Sequence, residues 1–204
     1  QGTRDLGSYI LRTSLAGTFN SSPDQLIDDI VEHLRKQSAF VTPDVLDLIR
    51  NRGKPVELSE DRLWEQGYGS KNVHLIFNLL YRDFNYSPLF DGNMPQVDHI
   101  FPQSELSRLR MLNPETGRNS LMKYKKPQRD QLANCMLLTA FENGFAQKND
   151  ALPTQWFGDK PDKYLEAHLI PTDRNLWKLE NFEAFVDARK ALIQDRLKHF
   201  LLVR

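Results

Sequence analysis

The sequence predicts a mainly α-helical protein in which a helical layer packs around a short β-hairpin. Apolar residues recur at helical spacing through most of the 204 residues. Two short apolar segments, residues 97–101 and 132–138, have the length of strands instead. With 40% hydrophobic and 26% charged residues, the chain has the composition of a globular protein with one sizeable core.

The N-terminal part is predicted to be helical throughout. Residues 5–16 carry apolar side chains near helical spacing, and residues 73–84 read as a buried helix. Between them, three capping signals precede apolar stripes and predict further helices. These signals are Ser22-Pro23, Thr42-Pro43 and Ser59, the last ahead of a short helix through Trp64.

A break at residues 91–95, Asp-Gly-Asn-Met-Pro, separates this part from the two strands. Pro102 stops the first strand, and a helix is expected to begin at Thr139 and to run to Lys148. An amphipathic helix that packs on the core is expected after residue 182. We therefore predict an N-terminal helical region at 1–90, a central region at 91–160 and a C-terminal helical region at 161–204, together forming one compact domain.

Cysteine usage and hydropathy indicate the setting. The single cysteine, Cys135, excludes an internal disulfide and lies in an apolar run, so we expect a buried thiol. Without a leader or an apolar stretch of membrane-spanning length, we expect a cytoplasmic protein that does not enter membranes.

The zero net charge hides one strongly basic segment. Residues 108–129 carry seven basic side chains against the single acid Glu115. Such a segment is typical of a surface that follows a phosphate backbone, and Lys123, Lys125, Lys126 and Arg129 are the predicted DNA contacts. The alternative is a solvated loop whose charge balances acidic helices elsewhere.

The most informative residues flank that segment. Asp98-His99 precede it, and Asn134, Asn143 and Lys148 follow it. Together they offer a general base, oxygen ligands for a hard cation and a positive charge, which is the set that phosphodiester hydrolysis needs. Adjacent strand residues face opposite sides, so we expect a bend near Pro102 to bring Asp98 and His99 to one phosphate.

The string Asp98-His99-Ile100-Phe101-Pro102, followed by Asn134 and by Asn143 through Lys148, resembles the HNH or ββα-metal nuclease motif. The resemblance implies that His99 activates water and that Asp98 and Asn143 hold Mg²⁺, with Mn²⁺ as a second candidate. It also implies that Asn134 fixes the loop that aims His99, and that Lys148 contacts a DNA phosphate.

A wider resemblance covers nearly the whole chain. Residues 5–19 and the stretch Ala167-His168-Leu169-Ile170-Pro171-Thr172-Asp173 are similar to the C-terminal half of GmrSD-type and SspE-like DNA restriction proteins. This implies an endonuclease that nicks or cleaves double-stranded DNA in phage defence. It further implies a partner, an N-terminal nucleotide-hydrolysing half, and Gln1 in place of methionine fits an excised piece.

Two alternatives stay open at this stage. One is a catalytically silent DNA-binding or regulatory module that kept the HNH scaffold. The other is an HNH-type enzyme that acts on RNA or on structured DNA. The presence of Asp98, His99 and Asn143 together favours the DNA endonuclease.

Overall fold

The computed structural model describes residues 2–81, 95–144 and 148–198. Its secondary structure within these ranges is mainly helical, with four short strands, which confirms the predicted fold class in its coarse form. The helices are α1 (Gly2–Ala16), α2 (Pro23–Arg35), α3 (Thr42–Asn51), α4 (Glu60–Trp64), α5 (Val73–Leu80), α6 (Gln103–Arg108), α7 (Lys126–Asp130), α8 (Ala140–Asn143), α9 (Pro153–Trp156), α10 (Asp162–Ala167) and α11 (Phe182–Leu197). The strands are β1 (Gln96–His99), β2 (Arg110–Asn113), β3 (Arg118–Met122) and β4 (Cys135–Leu138).

The chain divides into two compact units, of which the first ends at Leu63 and the second comprises Trp64–Leu197. The first unit contains α1, α2 and α3, and Tyr9 meets Phe40 edge to face with ring centroids 5.4 Å apart. The predicted region boundaries at residues 90 and 160 stay predictions. The core of the first unit is formed by apolar side chains at helical spacing, namely Leu26, Ile30, Val45, Leu46, Ile49 and Val56.

Three predicted helix starts meet different outcomes. Pro23 opens α2 as expected, but Ser22 adopts a left-handed backbone with φ 43° and makes no capping bond, so its predicted cap is wrong. Thr42 lies inside α3 because the N-cap is Val41. The Ser59 hydroxyl accepts from the Arg62 amide at 3.3 Å, which confirms that cap.

Two separate antiparallel pairs of strands lie in the second unit. In the first, β1 pairs with β4, and every residue of β4 is buried. In the second, β2 pairs with β3, and every residue of β3 is exposed. The predicted second strand begins later than expected, because residues 132–134 form a turn of 3₁₀-helix.

Helix α11 supplies the core of the second unit. Phe182 and Phe185 pack edge to face against Phe101, with ring centroids 5.3 and 5.0 Å apart. The amphipathic C-terminal helix is thus confirmed as a core element. The predicted buried helix at 73–84 is confirmed over α5, and its last residues lie outside the described part of the chain.

The buried side of α11 also carries a charge. The Arg189 side chain is fully buried, and its guanidinium donates to the carbonyl oxygens of Ala133 (3.0 Å), Cys135 (2.5 Å), His168 (3.2 Å) and Leu169 (3.1 Å). Two of these acceptors, Ala133 and Cys135, lie at the start of β4, and the other two directly follow α10. Buried backbone oxygens of this kind need a donor. Arg189 therefore holds the strand that supports β1.

The fold also tests the expectation for the single cysteine. Cys135 is buried, and burial raises the pKa of its thiol to about 12, which confirms the inert buried thiol. None of the helices in the described ranges combines the length and the apolar character that crossing a bilayer demands.

Candidate active site

Strand β1 carries Asp98 and His99 to one end of the buried pair of strands. Asp98 lies opposite Met136 and His99 opposite Cys135 in the register. The chain bends at Ile100 and Phe101, although the Ile100 amide still follows the register by donating to the carbonyl oxygen of Asn134 at 2.7 Å. The strand therefore ends at His99, three residues before Pro102.

A cavity of about 160 Å³ lies at this end. Although Asp98 and His99 are neighbours on a strand, both line it, as the expected bend requires. The other lining residues were not predicted from the sequence; they are Tyr68, Pro102, Gln103, Asn149 and Asp150.

Tyr68 reaches His99 through a close approach of two backbone segments. Its ring lies against the imidazole with centroids 4.4 Å apart. Its amide donates to the Asp130 carbonyl oxygen at 2.8 Å. A Cβ on the preceding Gly67 would lie 2.1 Å from that same oxygen, so only glycine fits there.

Asn134 is fully buried behind His99. Its Oδ1 accepts from the Phe101 amide at 2.9 Å, and its Nδ2 donates to the carbonyl oxygens of Phe101 (3.2 Å) and Arg129 (2.8 Å). One side chain thereby joins the segment after β1 to the end of α7. This contact set agrees with the predicted role of fixing the loop beside His99.

Asp130 is the closest partner of His99, and the sequence analysis missed it. Its Oδ1 lies 3.0 Å from His99 Nε2, and it also bonds Gln103 and Lys126. Asp130 directly follows the last of the seven basic residues. The charge of that segment predicts DNA contacts and gives no indication that the next residue contacts His99. Gln103, four residues after His99, has its Nε2 3.1 Å from the same imidazole nitrogen.

These contacts determine the charge states at the site. Burial lowers the pKa of His99 below its usual value, and the hydrogen bond to Asp130 opposes that shift. Burial acts to raise the pKa of Asp130, but the bonds from Lys126 and His99 together outweigh burial and hold that pKa below its usual value. Near pH 7 the site therefore holds a neutral imidazole beside an ionised carboxylate.

Lys148 lies inside the site. Its side chain is only 1% exposed, and its ammonium lies 2.8 Å from Asp98 Oδ2 and donates to the His99 carbonyl oxygen at 2.5 Å. The predicted contact with a DNA phosphate would require the ammonium to leave both partners. In this arrangement Lys148 neutralises Asp98 and holds the end of β1.

Asn143 is the last residue of α8, so the predicted helix from Thr139 is a single turn rather than one that reaches Lys148. Thr139 caps it by accepting from the Glu142 amide at 3.2 Å. The Asn143 Nδ2 donates to Gln96 Oε1 at 2.7 Å. Asn143 lines a second cavity, of about 520 Å³, which shares Tyr68 with the first; Asp98 and Asn143 are thus not brought into one cavity.

The oxygen donors suit a hard cation. The first cavity offers the carboxylates of Asp98 and Asp150 with the amides of Gln103 and Asn149. Mg²⁺ keeps several waters and needs only one or two carboxylates. Among the residues that the structure describes, no three His, Cys, Asp or Glu side chains are grouped to hold a metal ion.

Of the four predicted DNA contacts, Lys123 and Lys125 precede α7, Lys126 begins it and Arg129 lies near its end. Lys123, Lys125 and Lys126 are exposed, whereas Arg129 is half-buried. The Lys126 ammonium also pairs with Asp130 Oδ2. A substitution of Lys126 would therefore alter the surroundings of His99 as well as any contact with a phosphate.

A β-pair that holds a histidine and a carboxylate at one cavity, embedded in helices, is an arrangement suited to hydrolysis. Residues 57–196 match the model of the GmrSD restriction endonucleases, C-terminal domain. The match covers more than half of the chain, and the chain therefore belongs to this family. It is a nuclease domain of the restriction-endonuclease type, with DNA as its substrate class, which confirms the resemblance found in the sequence. No curated protein matches the chain.

Proposed function

We propose that the chain is a metal-dependent HNH-type endonuclease domain that hydrolyses phosphodiester bonds of double-stranded DNA. The observation that carries this proposal is the cavity that places Asp98 and His99 together, with Asp130 bonded to the imidazole. The family supplies the substrate class, and the geometry supplies the general base.

His99 acts as the general base. Asp130 accepts a hydrogen bond from the protonated Nε2 of the neutral His99 imidazole, which leaves Nδ1 as the nitrogen with a free lone pair. Nδ1 takes a proton from water, the water oxygen attacks phosphorus, and the bond from phosphorus to the 3′ oxygen breaks. The products carry a 5′-phosphate and a 3′-hydroxyl.

The second carboxylate and the amides provide the cation site. Asp98 would hold Mg²⁺ or Mn²⁺, with Asp150 as a second oxygen donor at the same cavity. Asn143, the ligand that the motif implies, lines the neighbouring cavity instead. A bound cation stabilises negative charge that develops on the phosphate and on the leaving oxygen. Because Lys148 already contacts Asp98, cation binding competes with that ion pair.

The remaining residues position these groups. Asn134 fixes the segments on both sides of His99, and Lys148 anchors the end of β1. Lys123 and Lys125 contact phosphates away from the chemistry. In the wider protein this domain works in the cytoplasm in defence against phage DNA, under the control of an N-terminal nucleotide-hydrolysing half.

The test uses supercoiled plasmid with the protein and Mg²⁺, with and without EDTA. The proposal predicts nicked or linear DNA that EDTA abolishes and that Mn²⁺ supports in place of Mg²⁺. Intact plasmid under all metal conditions, together with retained DNA binding, would instead support the silent binding module. Cleavage of RNA in preference to the plasmid would support the RNA enzyme.

A further inference from the structure

The hairpin formed by β2 and β3, residues 110–122, exposes an unusual share of apolar surface. The exposed fractions are 58% for Leu112, 48% for Met111, 43% for Met122 and 40% for Leu121. Elsewhere in the described part of the second unit, only Tyr68 and Leu192 are large hydrophobic residues exposed to this degree. We call this hairpin the ribbon.

Neither face of the ribbon is buried. Met111 lies opposite Leu121 on one face, and Arg110 lies opposite Met122 on the other. All four are exposed, so the pleat divides apolar side chains between two open surfaces. A two-stranded hairpin that packs on no core is marginally stable in water. Exposed apolar patches on a folded protein commonly mark a binding surface.

Within the described part of the chain, the ribbon is anchored at its base and closed by a tight turn at its tip. At the base, the Lys123 amide donates to the Leu109 carbonyl oxygen at 3.0 Å, and the next residue, Tyr124, is buried against Phe182 with centroids 4.8 Å apart. At the tip, Gly117 has a left-handed φ of 65°, and its amide donates to the Asn113 carbonyl oxygen at 2.8 Å.

The base of the ribbon connects directly to the candidate active site. Helix α6 precedes it and carries Gln103, while α7 follows it and carries Asp130. Both of these side chains contact His99. A partner bound on the ribbon is thus held at a defined position relative to the imidazole.

The charge around the ribbon indicates which partner fits. Seven basic side chains occupy residues 108–129, against Glu115 alone. Proteins that bind the DNA minor groove combine Arg and Asn contacts with apolar wedges such as Leu and Met inserted between base steps. The ribbon has this combination, with Arg118 and Asn119 exposed beside the turn and Leu112 the most exposed of its apolar side chains.

We propose that the ribbon enters the minor groove of duplex DNA, where Leu112 wedges between base pairs and kinks the duplex beside the active site. Arg118 and Asn119 contact the groove, while the basic residues at the ribbon base contact the flanking phosphates. The inference rests on the proposed function, because the DNA held by the ribbon is the substrate of His99.

The experiment measures DNA binding and bending separately from cleavage. Every protein carries His99→Ala and is kept in EDTA, so no DNA is cut. Affinity is measured by anisotropy of a labelled duplex, and bending by energy transfer between dyes at its two ends. Leu112→Ser is compared with Leu192→Ser, a change at another exposed leucine of the same unit (39% exposed).

Leu112→Ser is expected to weaken binding about tenfold and to abolish the rise in energy transfer, because the wedge allows the kink. Arg118→Ala should weaken binding, because it removes a contact in the groove. Leu192→Ser should behave like the parent protein. Met111→Ser is a second ribbon variant, with an expected loss in the same direction.

Parent-like affinity and bending for both Leu112→Ser and Met111→Ser would overturn the ribbon proposal and leave its apolar surface to a protein partner. A different result would contradict the proposed function. If the protein with His99 intact cuts plasmid while the ribbon variants bind like the parent, only the ribbon proposal fails. If the protein neither binds nor cuts DNA, both proposals fail.

Discussion

The two antiparallel pairs of strands in the second unit are nearly equal in length and opposite in environment. The β1–β4 pair is enclosed, with all four residues of β4 buried, whereas the β2–β3 pair is open on both faces. Packing around β4 and the bonds from Arg189 to Ala133 and Cys135 support the strand against which β1 pairs. The open pair has no core to fill, so its side chains are available for binding.

The largest loss of stability is expected for a substitution that disrupts the enclosed pair. Arg189→Met replaces the guanidinium by an unbranched apolar side chain. It leaves four carbonyl oxygens without their donor, two at the start of β4 (Ala133 and Cys135) and two that follow α10 (His168 and Leu169). Each such orphaned group costs about 1–3 kcal/mol, so the free energy of unfolding should fall by at least about 3 kcal/mol. Denaturant unfolding checks this, with Lys190→Met as the control for charge loss on the same helix. A loss no larger than that of the control would mean that packing alone holds β4.

A second substitution that should disrupt the enclosed pair is at Asn134. Asn134→Ala removes three buried hydrogen bonds and leaves their backbone partners unsatisfied, at a cost of roughly 1–3 kcal/mol. Since those bonds join the segments that carry His99 and Asp130, cleavage should drop more than DNA binding does. Equal losses in both, measured below the melting temperature of the variant, would argue that Asn134 only stabilises the fold.

The buried His168, whose carbonyl oxygen accepts from Arg189, should make the free energy of unfolding depend on pH. His168 lies between the rings of Tyr81 and Tyr164, at centroid distances of 5.0 and 4.2 Å. Burial lowers the pKa of His168 to about 3. Between pH 6.5 and about 3 the unfolded chain binds a proton that the folded chain does not, so stability falls as the pH falls.

His168→Phe should remove this dependence while keeping an aromatic ring in place. Between pH 7 and pH 5 the native protein should lose about 2 kcal/mol more unfolding free energy than the variant does. Denaturant unfolding at the two pH values measures the difference. Parallel losses in both proteins would contradict the neutral buried imidazole.

The smallest effect, a change in the salt dependence of DNA binding, is expected for the lysines at the base of the open pair. Changing Lys123 and Lys125 to alanine should flatten the dependence of log affinity on log salt by roughly 1.8, that is, about 0.9 for each phosphate contact. The fold should be unaffected because both side chains are exposed. Glu115→Gln is the control, since it removes a charge of the opposite sign from the ribbon turn. An unchanged slope would place the DNA path elsewhere.

The enclosed pair could be predicted from the sequence, and the open pair could not. Residues 97–101 and 132–138 are apolar runs of strand length, so their burial and pairing follow from local composition. The ribbon has no alternation of apolar and polar residues because neither face is buried. The one signal for it was the turn from Asn113 to Gly117, where proline and glycine flank two polar residues.

The candidate site divides in the same way. Asp98, His99 and Asn134 were found because they lie within a short motif. Asp130 and Tyr68 reach His99 only through tertiary contacts, from 31 residues away in the case of Asp130. The HNH resemblance implied a contact between Lys148 and a DNA phosphate, and only the fold shows the contact of Lys148 with Asp98.

The central claim is that the enclosed pair holds His99 as the general base. The most direct test is the single-turnover rate of plasmid cleavage at saturating protein in Mg²⁺, for the native chain and for His99→Ala. His33→Ala, a histidine of α2 in the first unit, is the matched control. Loss of a general base predicts a rate lower by about 10²–10⁴, with DNA affinity retained and the control unchanged. A His99→Ala rate close to that of the native chain would contradict the account.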